Sequence, residues 1–186
     1  ALMMLNILED YDLASLDPNS VARLHLETEA SRMAYAARDR YVADQRQEDV
    51  PVDHMLSAEF AAELRAQISP DRAVEAPEAT GPAYRDTIYL SVVDKDRNAC
   101  SFINSLYMPF GTGLTAPRSG VVLQNRAAGF RVEPGHPNNV APRKRPLHTI
   151  IPGMCMKDGK VAYSYGVMGG GYQPVGHTHV LTNMID

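Results

Sequence analysis

Residues 86 to 113, DTIYLSVVDKDRNACSFINSLYMPFGTG, place an Asp-Thr pair before two alternating apolar runs and a glycine turn. A threonine hydroxyl attacks a carbonyl only with a base beside it, and a free α-amine on the same residue is such a base. The ordinary pKa of that amine, about 8, lets it take up and return a proton near neutrality. Internal Thr87 has no such amine and acquires one only if the Asp86–Thr87 bond is cut. From spacing alone, an ordinary strand-edge residue is the default reading.

A second chemical feature is MGGGYQPVGH at 168 to 177. Consecutive backbone N–H groups in a glycine turn before a helix suit an oxyanion or a phosphate. The pattern matches neither the P-loop nor the dinucleotide fingerprint, so a plain tight turn is the default here too. The histidines are His25, His54, His136, His148, His177 and His179. Their spacing contains no H-E-x-x-H arrangement, and they read as ordinary polar residues rather than zinc ligands. PRKRPL, with Arg143, Lys144 and Arg145, reads as a solvated loop able to draw in an anion. Cys100 and Cys155 have no metal-ligand or disulfide spacing and read as small buried hydrophobes.

These residues need elements to position them. The first 68 residues read as helical: MMLNILEDYDL is a short apolar helix, and Ser20 is a candidate N-cap for a long helix over about 21 to 44. Ser57 caps a further helix, whose Phe60, Leu64 and Ile68 form an apolar face at four-residue spacing. Residues 69 to 85, SPDRAVEAPEATGPAYR, read as an exposed linker. TIYLSVVD and ACSFINSLY, joined by KDRN, predict a β-hairpin. GVVLQN and VAYSYGVMG are further strand candidates, MKDGK is a punctuating loop, and HTHVLTNMID reads as a helix.

The chain has 186 residues, a formal charge of −4 and 45% apolar residues, which fits one globular core. With 18 basic against 22 acidic residues, neither nucleic acid nor an anionic membrane is an expected partner. No apolar run approaches the roughly 20 residues that span a bilayer. The opening ALMMLNILEDYDL lacks the basic region and cleavage site of a signal peptide and reads as the interior of a longer protein. Composition assigns no compartment.

The opening stretch, together with GVVLQNRAAGF, PRKRPLHTIIPG and GVMGGGYQPVGHTHVLTNMID, resembles the gamma-glutamyltransferase family of N-terminal-nucleophile hydrolases. LNILEDYDL and EASRMAYAARDRYVAD also resemble the end of that family's large subunit, so the resemblance covers essentially the whole chain. It implies an α+β fold, part of a four-layer αββα sandwich. Residues 1–68 would be the helical end of the large subunit, 69–86 a linker with the processing site, and 87–186 the start of the small catalytic subunit, incomplete at both ends. The resemblance further implies autoproteolysis between Asp86 and Thr87, with Thr87 as nucleophile and Ser105 as the hydroxyl that holds it. Gly169 and Gly170 fall on the oxyanion-hole glycines.

The departures from the family pattern concern substrate. Tyr107 stands where glutathione-directed members carry a head-group Asn. Gly129 stands where they carry the Asp that pairs with the substrate α-amine, and Arg126 occupies the preceding acceptor position. His148 and Thr149 replace paired serines near the substrate carboxylate. Losing a carboxylate removes the partner of an ammonium, and gaining a guanidinium supplies a fork for a carboxylate. The expected substrate is a small acyl amide, either γ-glutamyl or another acidic acyl compound, and the departures favour an acyl group lacking the α-amine, such as an oxamate or glutaryl amide. The expected partners are the remainder of both subunits and, for the exposed apolar faces of a partial sandwich, a homodimer contact. The chemistry calls for no metal or organic cofactor. The alternative for Arg126 is a pairing with a large-subunit acid that keeps it from substrate; the competing reading of the whole is a noncatalytic homologue or inactive structural fragment in which Thr87 stays internal.

Overall fold

The computed structural model describes residues 1–75 and 87–185. Asp86, the expected processing residue, lies outside the described residues. The chain divides into two compact units.

The first unit comprises, of the described residues, 1–75, 131–147 and 178–185. Helix α1 (Leu2–Leu8) and helix α2 (Val21–Tyr41) are followed by the short α3 (Val52–Met55) and by α4 (Ala58–Arg65). Both expected caps form: Ser20 Oγ accepts from Arg23 N at 3.2 Å and Ser57 Oγ from Phe60 N at 3.1 Å. Each satisfies an amide that the first helical turn leaves without an intrahelical acceptor. The C-terminal carbonyls of α1 are met by Arg65, which donates to Asn6 O at 2.7 Å and Ile7 O at 2.8 Å and pairs with Asp10. Ile7, Leu8, Leu13, Ala30 and Met33 form the core, with Leu64 and Ile68 packed against it, while the Phe60 ring of the expected apolar face lies 4.5 Å, centre to centre, from the His54 ring.

α2 also carries buried charge. Arg23 donates to Leu13 O at 2.9 Å and pairs with Glu27, which accepts from Thr182 Oγ1 at 3.0 Å and meets His179 Nδ1 at 2.7 Å. The start of the expected linker is tied down, because Val74 N donates to Glu29 Oε2 at 2.6 Å and His25 Nε2 lies 2.7 Å from Ser69 O. The expectation of a solvated PRKRPL loop holds for Arg143 and Arg145, which are exposed, and is corrected for Lys144, which forms an ion pair with Glu48 and whose side chain is 3% exposed. Arg145 N donates to Asp44 Oδ2 at 2.9 Å. Glu48 and Asp44 thus anchor the segment through the Lys144 side chain and the Arg145 main chain.

The second unit comprises residues 87–130 and 148–177. Strands β1 (Ile88–Val93) and β2 (Ala99–Asn104) form the expected antiparallel hairpin, with Ile88 opposite Asn104 and Leu90 opposite Phe102. Its turn is built on Asp94, whose Oδ1 accepts from Asp96 N at 2.9 Å and Asn98 N at 2.8 Å. A second hairpin pairs β3 (Gly153–Lys157) with β4 (Lys160–Tyr165). Asp158 and Gly159 supply its turn with φ of 51° and 72°, the doubly left-handed conformation for which an Asp-Gly pair is suited. MKDGK is thus a hairpin turn, and β3, dominated by Met and Gly rather than β-branched residues, was not evident from residue type.

GVVLQN is not a strand. An isolated bridge, Thr115 with Val122, closes the loop around APRSG, where Ala116 N donates to Val121 O at 2.8 Å and Leu123 N to Leu114 O at 2.8 Å. The expected burial of the cysteines is also corrected: Cys100 is exposed on β2 and Cys155 is intermediate. Alternation explains Cys100, which faces outward with its cross-strand neighbour Val92. Helix α5 (Gln173–Ile185) follows the glycine turn and begins earlier than HTHVLTNMID implied.

Candidate active site

The register of the first hairpin decides the position of Thr87. With Ile88 opposite Asn104, the next residues outward, Thr87 and Ser105, face each other. Their side chains meet: Thr87 Oγ1 donates to Ser105 Oγ at 3.4 Å. Ser105 Oγ also accepts from Tyr107 N at 3.0 Å, which fixes the serine rotamer from the other side.

Hydroxyl groups pin the two hairpins of this unit together. Tyr89 Oη lies 3.1 Å from Ser101 Oγ and 3.4 Å from Ser164 Oγ, while Ser91 Oγ donates to Ser164 Oγ at 2.7 Å. Gly166 lets the Tyr89 ring lie directly on the chain, since a Cβ there would sit 2.3 Å from Tyr89 Cδ2. Tyr89 is two residues from Thr87 and Gly166 is three from Gly169. The threonine and the glycine turn therefore lie toward the same end of the paired hairpins.

The turn has a conformation reserved for glycine: φ is 129° at Gly169 and 58° at Gly170. A 3-10 turn, Gly170–Tyr172, leads into α5, so the amides of the turn sit at the positive end of a 13-residue helix. Donors placed there can receive a developing negative oxygen.

The four expected head-group residues also converge. Arg126 is 4% exposed; its Nη1 donates to Thr149 Oγ1 at 2.9 Å and its guanidinium carbon lies 5.0 Å from the centre of the Tyr107 ring. Its Nη2 is buried and has no hydrogen-bond partner among the described residues, and no carboxylate among them pairs with it. Burial disfavours the charged guanidinium and lowers its pKa. His148 keeps an open face, yet partial burial and then the Arg126 charge hold its pKa below the ordinary value of 6.5. A neutral imidazole beside Arg126 leaves the guanidinium as the local positive charge. Gly129 closes the short 3-10 helix that begins at Arg126.

Two positioning residues escaped the sequence reading. Asn125 Oδ1 accepts from Met108 N at 3.0 Å and its Nδ2 donates to Gly111 O at 3.0 Å, clamping the segment after β2 beside Arg126. Assigning GVVLQN to a strand hid this role; an Asn preceding a basic residue in a loop was the available signal. Gln173, fully buried at the start of α5, accepts from Ile151 N at 3.2 Å and so ties the glycine turn to the segment carrying Thr149. Nothing in its sequence context marked it.

His177, one helical turn after Gln173, is 2% exposed, with its ring centre 4.9 Å from that of Tyr165. Burial pushes its pKa down from 6.5 to about 4. The unfolded chain then binds more protons than the folded one between those values. The stability associated with neutral His177 is therefore present above about pH 6.5 and lost as pH falls toward about 4. Thermal unfolding across this window is expected to show the decline, and His177→Asn to flatten that part of the profile.

Among the described residues no group of three His, Cys, Asp or Glu side chains is arranged to hold a metal ion, and no helix is long and apolar enough to cross a membrane.

The mixed α/β fold matches that of an N-terminal-nucleophile acylase. Against the crystal structure of cephalosporin acylase from Bacillus halodurans, the TM-score is 0.87 at 37% identity, covering 100% of this chain and 33% of that one. Residues 1–186 match the gamma-glutamyltranspeptidase family throughout, and the chain belongs to it. Among characterised relatives, it is 38% identical over 185 residues to the glutathione hydrolase-like YwrD proenzyme of Bacillus subtilis, covering 100% of this chain and 35% of the relative. It is 37% identical over 174 residues to the oxamate amidohydrolase proenzyme of Klebsiella pneumoniae, covering 93% of this chain and 32% of the relative. The chain thus spans about a third of the length of these relatives.

Proposed function

We propose that this chain carries the processing junction and the nucleophile of an amidohydrolase or acyltransferase that activates itself by cutting Asp86–Thr87. The observation that carries the reading is the Thr87–Ser105 hydroxyl pair, held at 3.4 Å by the hairpin register. Residues 1–68 then close the large subunit, 69–86 link and 87–186 open the small one.

In processing, Thr87 Oγ1 attacks the Asp86 carbonyl carbon, the C–N bond breaks and the Thr87 nitrogen leaves as an amine, giving an ester. Water hydrolyses the ester to the Asp86 carboxylate and restores the Thr87 hydroxyl. In turnover the new α-amine takes the hydroxyl proton as Oγ1 attacks the substrate amide, and the tetrahedral oxyanion accepts from the amides of Gly169 and Gly170. The proton passes to the departing amine. Transfer and hydrolysis share the resulting acyl-enzyme and differ only in whether an amine or water releases it.

The acyl group in this reading is acidic and lacks an α-amine. Arg126, with a buried and unpartnered Nη2, offers a donor to a carboxylate, while Gly129 has no side-chain carboxylate to pair with an ammonium. The oxamate and cephalosporin specificities named for two relatives are in keeping with acyl groups other than γ-glutamyl.

The test uses the full-length protein. N-terminal sequencing and intact mass should reveal a chain beginning at Thr87, and a glutaryl amide should be cleaved faster than the matched γ-glutamyl amide. Absence of that new terminus after prolonged incubation would remove the nucleophile assignment; preference for the γ-glutamyl compound would remove the head-group assignment.

A further inference from the structure

Tyr107 has a backbone φ of 82°, a left-handed conformation that is costly for a bulky aromatic residue. The surrounding contacts maintain it. Its ring lies against the Arg126 guanidinium, 5.0 Å from ring centre to Cζ, and the adjoining chain is clamped by Asn125 through Met108 N and Gly111 O. In that conformation the Tyr107 amide donates to Ser105 Oγ at 3.0 Å, and Ser105 Oγ accepts the Thr87 hydroxyl. One residue thus touches both halves of the site, through its ring at the head-group end and its main chain at the nucleophile end.

We propose that Tyr107 is a positioning residue that couples occupancy of Arg126 by an acyl carboxylate to the alignment of Thr87. The inference rests on the reading that Arg126 receives that carboxylate. A carboxylate bound to the unpartnered Nη2 restrains the guanidinium against the ring. The ring in turn holds the left-handed Tyr107 backbone, and with it the amide that orients Ser105. Head-group binding is then expressed in the chemical step as well as in affinity, as expected when remote binding energy is used to orient reacting groups. The aromatic face is essential to this coupling and the phenolic oxygen is not.

The experiment compares glutaryl and pentanoyl amides of one chromogenic amine, substrates that differ in the terminal carboxylate, in the processed full-length enzyme. Concentrations are normalised to active sites by the acylation burst. In the parent enzyme the glutaryl amide should have the higher kcat. Tyr107→Leu should cut the glutaryl-to-pentanoyl ratio of kcat about tenfold, the scale of a partly desolvated cation–ring contact. Tyr107→Phe, which keeps the ring, should restore most of that ratio, and Tyr107→Met supplies a second nonaromatic side chain should the leucine variant fail to process. Equal loss of kcat on both substrates, or a change confined to KM, would overturn the coupling while leaving the carboxylate reading intact. If the parent enzyme does not distinguish the two substrates in kcat/KM, the carboxylate reading fails and the coupling fails with it.

Discussion

Full-length protein carrying Thr87→Ala is expected to remain a single uncut chain and to lose amide cleavage by roughly 10⁴-fold or more, as when the nucleophile of a coupled catalytic group is removed. Both effects follow from one oxygen, because the hydroxyl that would attack the Asp86 carbonyl is also the hydroxyl that would attack substrate. Thr87→Ser keeps this oxygen within reach of Ser105 and should process, more slowly, since loss of the methyl frees χ1 in a side chain otherwise stiffened by β-branching. Denaturing gels and intact mass read the cut, and turnover per active site reads the chemistry. A Thr87→Ala protein that still yielded two chains at this position would place the cleavage chemistry elsewhere. Ser105→Ala should fall between the two, since it removes the acceptor of the Thr87 hydroxyl without removing the nucleophile.

Arg126→Met gives the second large effect, and its signature is a pair of opposite outcomes. Cleavage of a glutaryl amide should fall by about 10²- to 10³-fold in kcat/KM, the scale of losing one partner of a desolvated, hydrogen-bonded charge pair. Cleavage of the uncharged pentanoyl amide should fall far less. The thermal midpoint, in contrast, should be unchanged or higher, because methionine fills similar space without a buried charge that the described residues leave partly unsatisfied. Arg126→Lys should not restore the parent value, since an ammonium lacks the planar fork and packs differently on the Tyr107 ring. A lower midpoint with no change in substrate preference would make Arg126 a structural cation instead.

Some of this arrangement is legible in the sequence. The hairpin around Asp94 was legible because β-branched alternation and a polar turn coincide, but its register was not: strands joined by KDRN alone would set Asp94 opposite Ala99, whereas the folded hairpin sets Val93 there and so brings Thr87 opposite Ser105. The caps at Ser20 and Ser57 were legible because a short side-chain oxygen before an apolar helical run has one local use. The Gly169–Gly170 turn was legible as special backbone but not as a site; its relation to Thr87 depends on Tyr89 lying against Gly166, a contact 77 residues apart in sequence. β3 was not legible, since its Met and Gly residues carry no strand preference and its partner across the Asp-Gly turn supplies the pairing.

Local chemistry therefore settled what depends on neighbours within a few positions, the helix caps and hairpin turns, while the order of motifs along the chain carried the family. Tertiary structure settled what depends on distant segments converging. It buried Arg126 beside Thr149 and Tyr107, tied the apparently cationic Lys144 to Glu48, and gave Asn125 and Gln173 their clamping roles. Residue type determines which interactions a side chain can make; the folded chain determines which partners are within reach and which charges lose their water.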